Sequence, residues 1–348
     1  MKQHCRYSPL DSRTIIPRPW YFIGLAMTLS VGSLAADDTP REDVPLRIED
    51  RLILTEEDVA GLNQDQLIEL MGADLAWSRI AAARALADRG AISVPVFQKA
   101  LADDDWRVVR AGLDGLTRVL SQAAEAEDDG ARKAVAAVVP DIKKTLTNDH
   151  YFVRMGALNV LGKLGADAKD TAADVCGLFT DEDFMGVAPT AIKTMAAIGI
   201  EHADEKVLME SLGKAIRSAD EPVRRAAMGV VAKLEKDTQR KLIPDMIMAL
   251  QTPMKDGYTR YHLQAKIANL LYDLGEKRAL PMSIAILCEK GWGESHRVEQ
   301  FVPILEKYGP EAISALPLLE SFTARFSKYP KTGPMLERAI AKIKGEEQ

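Results

Sequence analysis

Cysteine is scarce, with 3 residues in a chain of 348, and aromatic residues make up only 6% of it. The first scarcity excludes a framework stapled by disulfides. The second argues against a sheet core, which draws on Val, Ile, Tyr and Phe. No stretch reaches the roughly 20 consecutive apolar residues that a membrane-crossing helix needs. There is no H-E-x-x-H, C-x-x-C, G-x-S-x-G, Walker or dinucleotide-binding string. No catalytic residue, metal or cofactor is therefore assigned. What is abundant is aliphatic: hydrophobic residues make up 47% of the chain, with Ala and Leu prominent. That suits many short helices packed through small and branched side chains.

The first 35 residues stand apart. Lys2, Arg6, Arg13 and Arg18 form a basic leader, Tyr21 to Leu34 is a short apolar run broken by Gly24 and Gly32, and Ser33, Ala35 and Ala36 follow. This is the layout of a secretory signal, with a mature chain expected from near Ala36. An uncleaved N-terminal membrane anchor is the alternative. The protein is accordingly expected to be exported, to the periplasm, cell envelope or outside, with no transmembrane span in the mature part.

The whole chain carries a net charge of −6. Removing four basic residues and Asp11 with the leader leaves 41 basic against 50 acidic residues, or −9. Such a surface repels phosphate backbones and argues against nucleic acid as a partner. Cys176 and Cys288 remain after the leader and are expected to be free, small buried residues. Four His residues remain as well: His150, His202, His262 and His296. None pairs with another at metal-ligand spacing. The acidic turns Asp103 to Asp105 and Asp181 to Asp183 lack the calcium-loop pattern and read as helix starts.

Stacking those helix starts exposes a repeat. DDWRVVRAGLDGL from Asp104, DHYFVRMGALNVLGKLG from Asp149 and DEPVRRAAMGVVAKL from Asp220 share an acid, an aromatic or Pro, Val-Arg, and then apolar residues three and four apart. That spacing lines one face of a helix, as Val153, Ala157, Val160, Leu161 and Leu164 show. Weaker copies begin at Trp77, Phe184, His262 and His296, giving a step of about 36 residues. A second signal, aliphatic-Pro-x5-Leu, recurs as VPVFQKAL at Val94, VPDIKKTL at Val139, IPDMIMAL at Ile243 and LPMSIAIL at Leu280, with a degenerate copy at Leu316. Pro is tolerated at the start of a helix, where its missing amide would be unbonded anyway. AEAEDDGA from Ala123 to Gly130 reads as a solvated acidic loop.

The D-x-x-V-R-x-x-A-x-x-x-L strings resemble the HEAT repeat family, in particular its short, lyase-type form. The resemblance covers nearly the whole chain after the leader. It implies an all-α fold: an α-α superhelix of the armadillo-type/HEAT-repeat kind, with about seven helical hairpins. The expected organisation is a signal peptide over 1–35, a linker over 36–51, and an N-terminal helical cap over 52–75. Repeats follow over 76–328, and a capping helix and tail over 334–348. Caps are needed because an end repeat has no neighbour to cover its apolar face. The resemblance further implies a structural ladder of Arg79, Arg110, Arg154 and Arg224, each meeting acidic turns of adjoining repeats. Ala188, Gln264 and Val298 interrupt it in the second half.

These repeats serve as scaffolds in unrelated systems, so the fold alone does not name a function. The expected function is a non-catalytic, exported scaffold, monomeric and without nucleic acid as a partner, that holds a protein or peptide on its helical surface. The alternative is a lyase or chaperone of the HEAT-like kind acting on a chromophore or client protein. The expected partner-binding residues are Ile247, Met248 and Ile284, at positions where Gln98, Lys99, Lys143 and Lys144 stand in earlier repeats. Trp292, between two glycines, would sit at the rim of that strip. Met and Trp are both enriched where proteins dock.

Overall fold

A computed structural model describes residues 56–182, 186–252, 260–289 and 293–346. The leader over 1–35, the linker over 36–51 and Trp292 lie outside the described residues. Within the described residues the chain is helical, without a strand. Two short helices, α1 (Glu56–Ala60) and α2 (Gln64–Met71), come first. The first helices of seven hairpins then recur as α3 (Ala76–Ala87), α5 (Trp106–Ala126), α8 (Tyr151–Leu164), α10 (Val187–Ile198), α12 (Glu221–Val231), α15 (Arg260–Asp273) and α17 (Glu294–Tyr308). Their second helices are α4 (Val94–Ala100), α7 (Val139–Thr145), α9 (Ala172–Gly177), α11 (Glu205–Ile216), α14 (Ile243–Gln251), α16 (Ala279–Leu287) and α18 (Leu316–Phe326). α6 (Asp129–Ala136) and α13 (Lys236–Lys241) are inserted ahead of α7 and α14, and α19 (Thr332–Lys344) follows the last hairpin.

The first helices lie side by side in chain order, α3 on α5, α5 on α8, and onward to α17 on α19. Each second helix packs on the first helix of the next repeat: α4 on α5, α7 on α8, α9 on α10, α11 on α12, α14 on α15 and α16 on α17. Two layers so interlocked make an α-solenoid of the HEAT or armadillo type, in which every repeat needs its neighbour. α19 takes the same place against both α17 and α18 and so covers the last open face.

The periodicity explains the packing. In α8 the buried side chains include Val153, Ala157, Val160, Leu161 and Leu164, one face of a 3.6-residue helix. Gly165 at φ +59 and Gly309 at φ +53 then stop α8 and α17 in a conformation that side chains resist. Pro95, Pro140, Pro244 and Pro317 stand within the first two positions of α4, α7, α14 and α18, where no hydrogen bond is lost. Phe97 of α4 is fully buried, and Gly115 of α5 makes room for its ring. Burying one such ring stabilises by about 1.5–3 kcal/mol.

Two expectations are corrected. The acidic stretch from Ala123 is not a loop: α5 runs to Ala126, Glu127 turns the chain at φ 53, and Asp128 accepts the amides of Gly130 and Ala131 to start α6. Ala and Glu favour a helix more than the local charge disfavours it. Cys288 is not buried. It caps the end of α16 in solvent, whereas Cys176 is buried in α9, and both are free.

Candidate functional site

The residues expected to form a strip on the second helices of repeats five and six differ in burial. Ile247 is only 8% exposed and belongs to the core, while Ile284 is half-buried against it. The cause is crowding: α14 is flanked by α11, α15 and α16, so its core-facing side widens to include Met246, Ile247, Ala249 and Leu250. Of the described residues of the strip, Met248 is the one presented to solvent, at 50% exposure.

The arginines do bind turns, though chiefly through carbonyl oxygens rather than carboxylates. Arg79 donates to Ala73 O and Asp74 O, Arg154 to Asn148 O and Asp149 O, and Arg224 to Ser218 O, Ala249 O and Thr252 O. Each stands fourth in its helix. Of the four, Arg154 meets an acid of the next repeat, pairing with Asp181 at 2.8 Å with both side chains buried. Arg224 is fully buried among carbonyls, and desolvation pushes its guanidinium down to about 10. Arg110 departs from the set. Standing fifth in α5, it pairs with Asp114 on its own helix and donates forward to Phe152 O at 2.6 Å. The seventh repeat has an arginine after all. Arg297, not Val298, is fourth in α17; it is 1% exposed and donates to Tyr261 Oη at 2.9 Å and to Glu289 O.

Beside these braces lies a second, more accessible feature that no sequence motif marks. The first turns of α3, α5 and α8 carry Trp77, Trp106, Tyr151 and Phe152, with His150 capping α8. Trp77 is 58% exposed and Phe152 39%, while Trp106, His150 and Tyr151 are half-buried. Between repeats two and three the rings touch. Trp106 stacks on His150 with centroids 3.6 Å apart and planes 6° from parallel, and Phe152 lies 6.2 Å from Trp106 and 4.4 Å from Tyr151. Trp77 occupies the matching first-turn place in repeat one.

Local sequence explains why the rings stand where they do. Asp105 accepts the Arg107 amide at 2.8 Å, which starts α5 at Trp106. The Arg107 guanidinium then lies 5.3 Å over the Trp106 ring. In α8 the cap is His150 itself, whose Nδ1 accepts the Phe152 amide at 3.3 Å. Its own amide donates to Asn148 Oδ1 at 2.8 Å. Burial, with Arg154 and Arg107 nearby, holds this imidazole below the usual histidine range, consistent with an Nδ1 that must stay unprotonated to accept. Arg110 from the preceding repeat and Arg154 from below fix the carbonyls of the same turn. The outcome is an edge of large rings mounted on rigid helix starts, a surface suited to docking rather than to proton transfer.

A groove of about 400 Å³ lies between α3 and α5, lined by Arg84, Asp114, Thr117, Arg118, Gln122 and Glu125. Two of its charges are already engaged, Arg118 with Asp88 at 2.9 Å and Asp114 with Arg110 at 2.8 Å. Among the described residues no group of three or more potential ligands could hold a metal ion, and no helix is long and apolar enough to cross a membrane.

No family model matches the chain, and no curated protein matches it either. Among solved structures it is similar to a designed armadillo repeat protein at 14% identity and a TM-score of 0.42, over 61% of this chain and 100% of that one. A second designed armadillo repeat protein, solved with the peptide (KR)4, matches at 13% identity and a TM-score of 0.37, over 70% of this chain and 99% of that one. An engineered protein matches at 16% identity and a TM-score of 0.37, over 81% and 89%.

Proposed function

We propose that this chain is a non-catalytic scaffold, acting after export, that holds an extended segment of a partner protein along the edge formed by the first turns of α3, α5 and α8. One observation carries the reading: three consecutive repeats each place at least one large aromatic residue in the same first turn, with the backbone at the start of α3 clamped by Arg79 and that at the start of α8 by Arg110 and Arg154. Rigid aromatic anchors supply contact area at small cost in side-chain entropy, and they dominate interfaces for that reason. A solenoid extends such an anchor into a row, one per repeat, which fits a linear ligand better than a globular one. The basic leader and short apolar run of the first 35 residues support export.

Cross-linking tests this directly. A photoreactive phenylalanine analogue placed at Phe152 should capture a partner from an envelope extract. The same analogue at Ile313, an exposed residue in the last hairpin, should not. Trp77→Ala with Phe152→Ala should abolish capture of that same partner by affinity-tagged protein, while Met248→Glu leaves it intact. Equal labelling from both positions, or capture that survives the double substitution, contradicts the reading.

A further inference from the structure

No two histidines stand at metal-ligand spacing along the chain, yet the fold brings two together across repeats. His262 is third in α15 and His296 third in α17, one repeat apart in sequence, on first helices that pack side by side. Their ring centres lie 6.1 Å apart, with the planes tilted by 55°. The contrast is with His150 on Trp106, whose parallel faces meet at 3.6 Å and leave no space between them. His262 is exposed and His296 half-buried, so solvent reaches the pair.

The residues next to the two histidines hold them in place. Tyr261 is buried, and its Oη accepts from Arg297 at 2.9 Å. The Arg297 guanidinium also lies 5.2 Å over the Tyr261 ring. α15 and α17 are thus tied together one residue from each imidazole, which presets the separation of the rings. The arginines of the same turns are committed to other partners, Arg297 to Tyr261 and Glu289 O, and Arg260 to the Glu289 carboxylate.

We propose that His262 and His296 together bind a late first-row divalent cation, zinc foremost, across repeats six and seven. Imidazole nitrogens bind zinc at about 2.0–2.1 Å, which puts two rings on one ion about 5–6 Å apart between centres. The separation found is at the top of that range, and rotation of the exposed His262 about its side-chain bonds closes the difference. Imidazole donors suit zinc, copper and nickel, whereas calcium and magnesium take oxygen. Among the described residues no third His, Cys, Asp or Glu completes a cluster with the pair. The remaining positions therefore fall to water or to a donor brought by a ligand, as in an open site rather than a closed structural one. An ion held this way ties α15 to α17 and stabilises the C-terminal end of the solenoid, where each repeat depends on its neighbour.

Calorimetric titration of the metal-free full chain with Zn²⁺ tests this. One site per chain should appear, with Kd below about 100 µM. The melting temperature should rise with Zn²⁺ and fall back when a chelator is added, and Ca²⁺ should do neither. His262→Ala, at an exposed position, should abolish both effects while leaving the metal-free melting temperature unchanged. His296→Ala should abolish the titration signal as well. His202→Ala and Cys288→Ser should leave binding intact, and X-ray absorption at the zinc edge should report two imidazole ligands. Uptake that survives His262→Ala, that is lost with Cys288→Ser, or that is matched by Ca²⁺ overturns the proposal. So does uptake no tighter than about 100 µM, which would be an adventitious ion only.

Discussion

The indole of Trp106 and the imidazole of His150 lie flat on one another, 3.6 Å between centroids and 6° from parallel, and they join repeats two and three at the edge assigned to docking. The same imidazole caps α8 through Nδ1. One side chain therefore links the stack between repeats to the start of the helix that bears Tyr151 and Phe152.

That double role makes stability depend on pH. The folded His150 is held below its ordinary 6.5, so as pH falls below 6.5 the unfolded chain takes up a proton that the folded one resists. Stability is fully present above 6.5 and is lost as pH falls toward and through the folded value. Urea unfolding between pH 7.5 and pH 5 should show this decline. His150→Asn, which keeps a cap without a titrating group, should flatten the part due to this residue. An unchanged slope would show that the cap does not titrate.

The buried pair should matter more than any exposed one. Arg154→Ala strands the buried Asp181 carboxylate and the carbonyls of Asn148 and Asp149 and should cost about 3–5 kcal/mol, seen as a large fall in the urea midpoint. Arg107→Ala removes a solvent-facing pair with Asp105 and should cost about 1 kcal/mol or less. Similar losses from the two would contradict the brace assigned to Arg154.

Two glycines should respond with opposite signs to the same change. A methyl group at Gly115 would collide with the Phe97 ring, whereas at Gly229 it meets nothing within 4 Å. Gly115→Ala should destabilise by about 1–3 kcal/mol through overpacking. Gly229→Ala, on the exposed side of the last turn of α12, should stabilise by about 0.5–1 kcal/mol. Thermal unfolding of the pair gives the sign of each.

The thiols should separate kinetically. Burial pushes Cys176 up to about 11, while Cys288 is exposed. A maleimide applied to folded protein at pH 7.5 should label Cys288 alone of the two, and both after denaturation without reductant, as peptide mapping would show. Failure to label either one after denaturation would mean that a disulfide had been missed.

The repeat was legible in the sequence because two independent signals, Val-Arg at helix starts and Pro in second helices, follow directly from packing and from the missing proline amide. Ladder membership was less legible, because it depends on where each helix begins. α17 starts at Glu294, which makes Arg297 its fourth residue and places Val298 beyond it. α5 starts at Trp106, which makes Arg110 its fifth and turns it toward Phe152. A shift of one residue rotates a side chain by about 100°, enough to change its partner. The burial of Ile247 was hidden for a related reason: counting along one helix cannot show how many neighbours flank it. Trp77, Trp106 and Tyr151 had been visible as markers of helix starts, but read as punctuation they were not read as a surface. Aligning them by distance from the cap would have revealed the row.

Hydrogen–deuterium exchange with the captured partner bound tests the central claim most directly. The first amides of a helix lack intrahelical acceptors and exchange readily, so a ligand lying across them leaves a clear mark. Slowed exchange at the first turns of α3, α5 and α8, with α14 and α16 unaffected, is the predicted result. Protection centred on Met248 and Ile284, or none at the turns bearing Trp77, Trp106 and Phe152, would contradict the account.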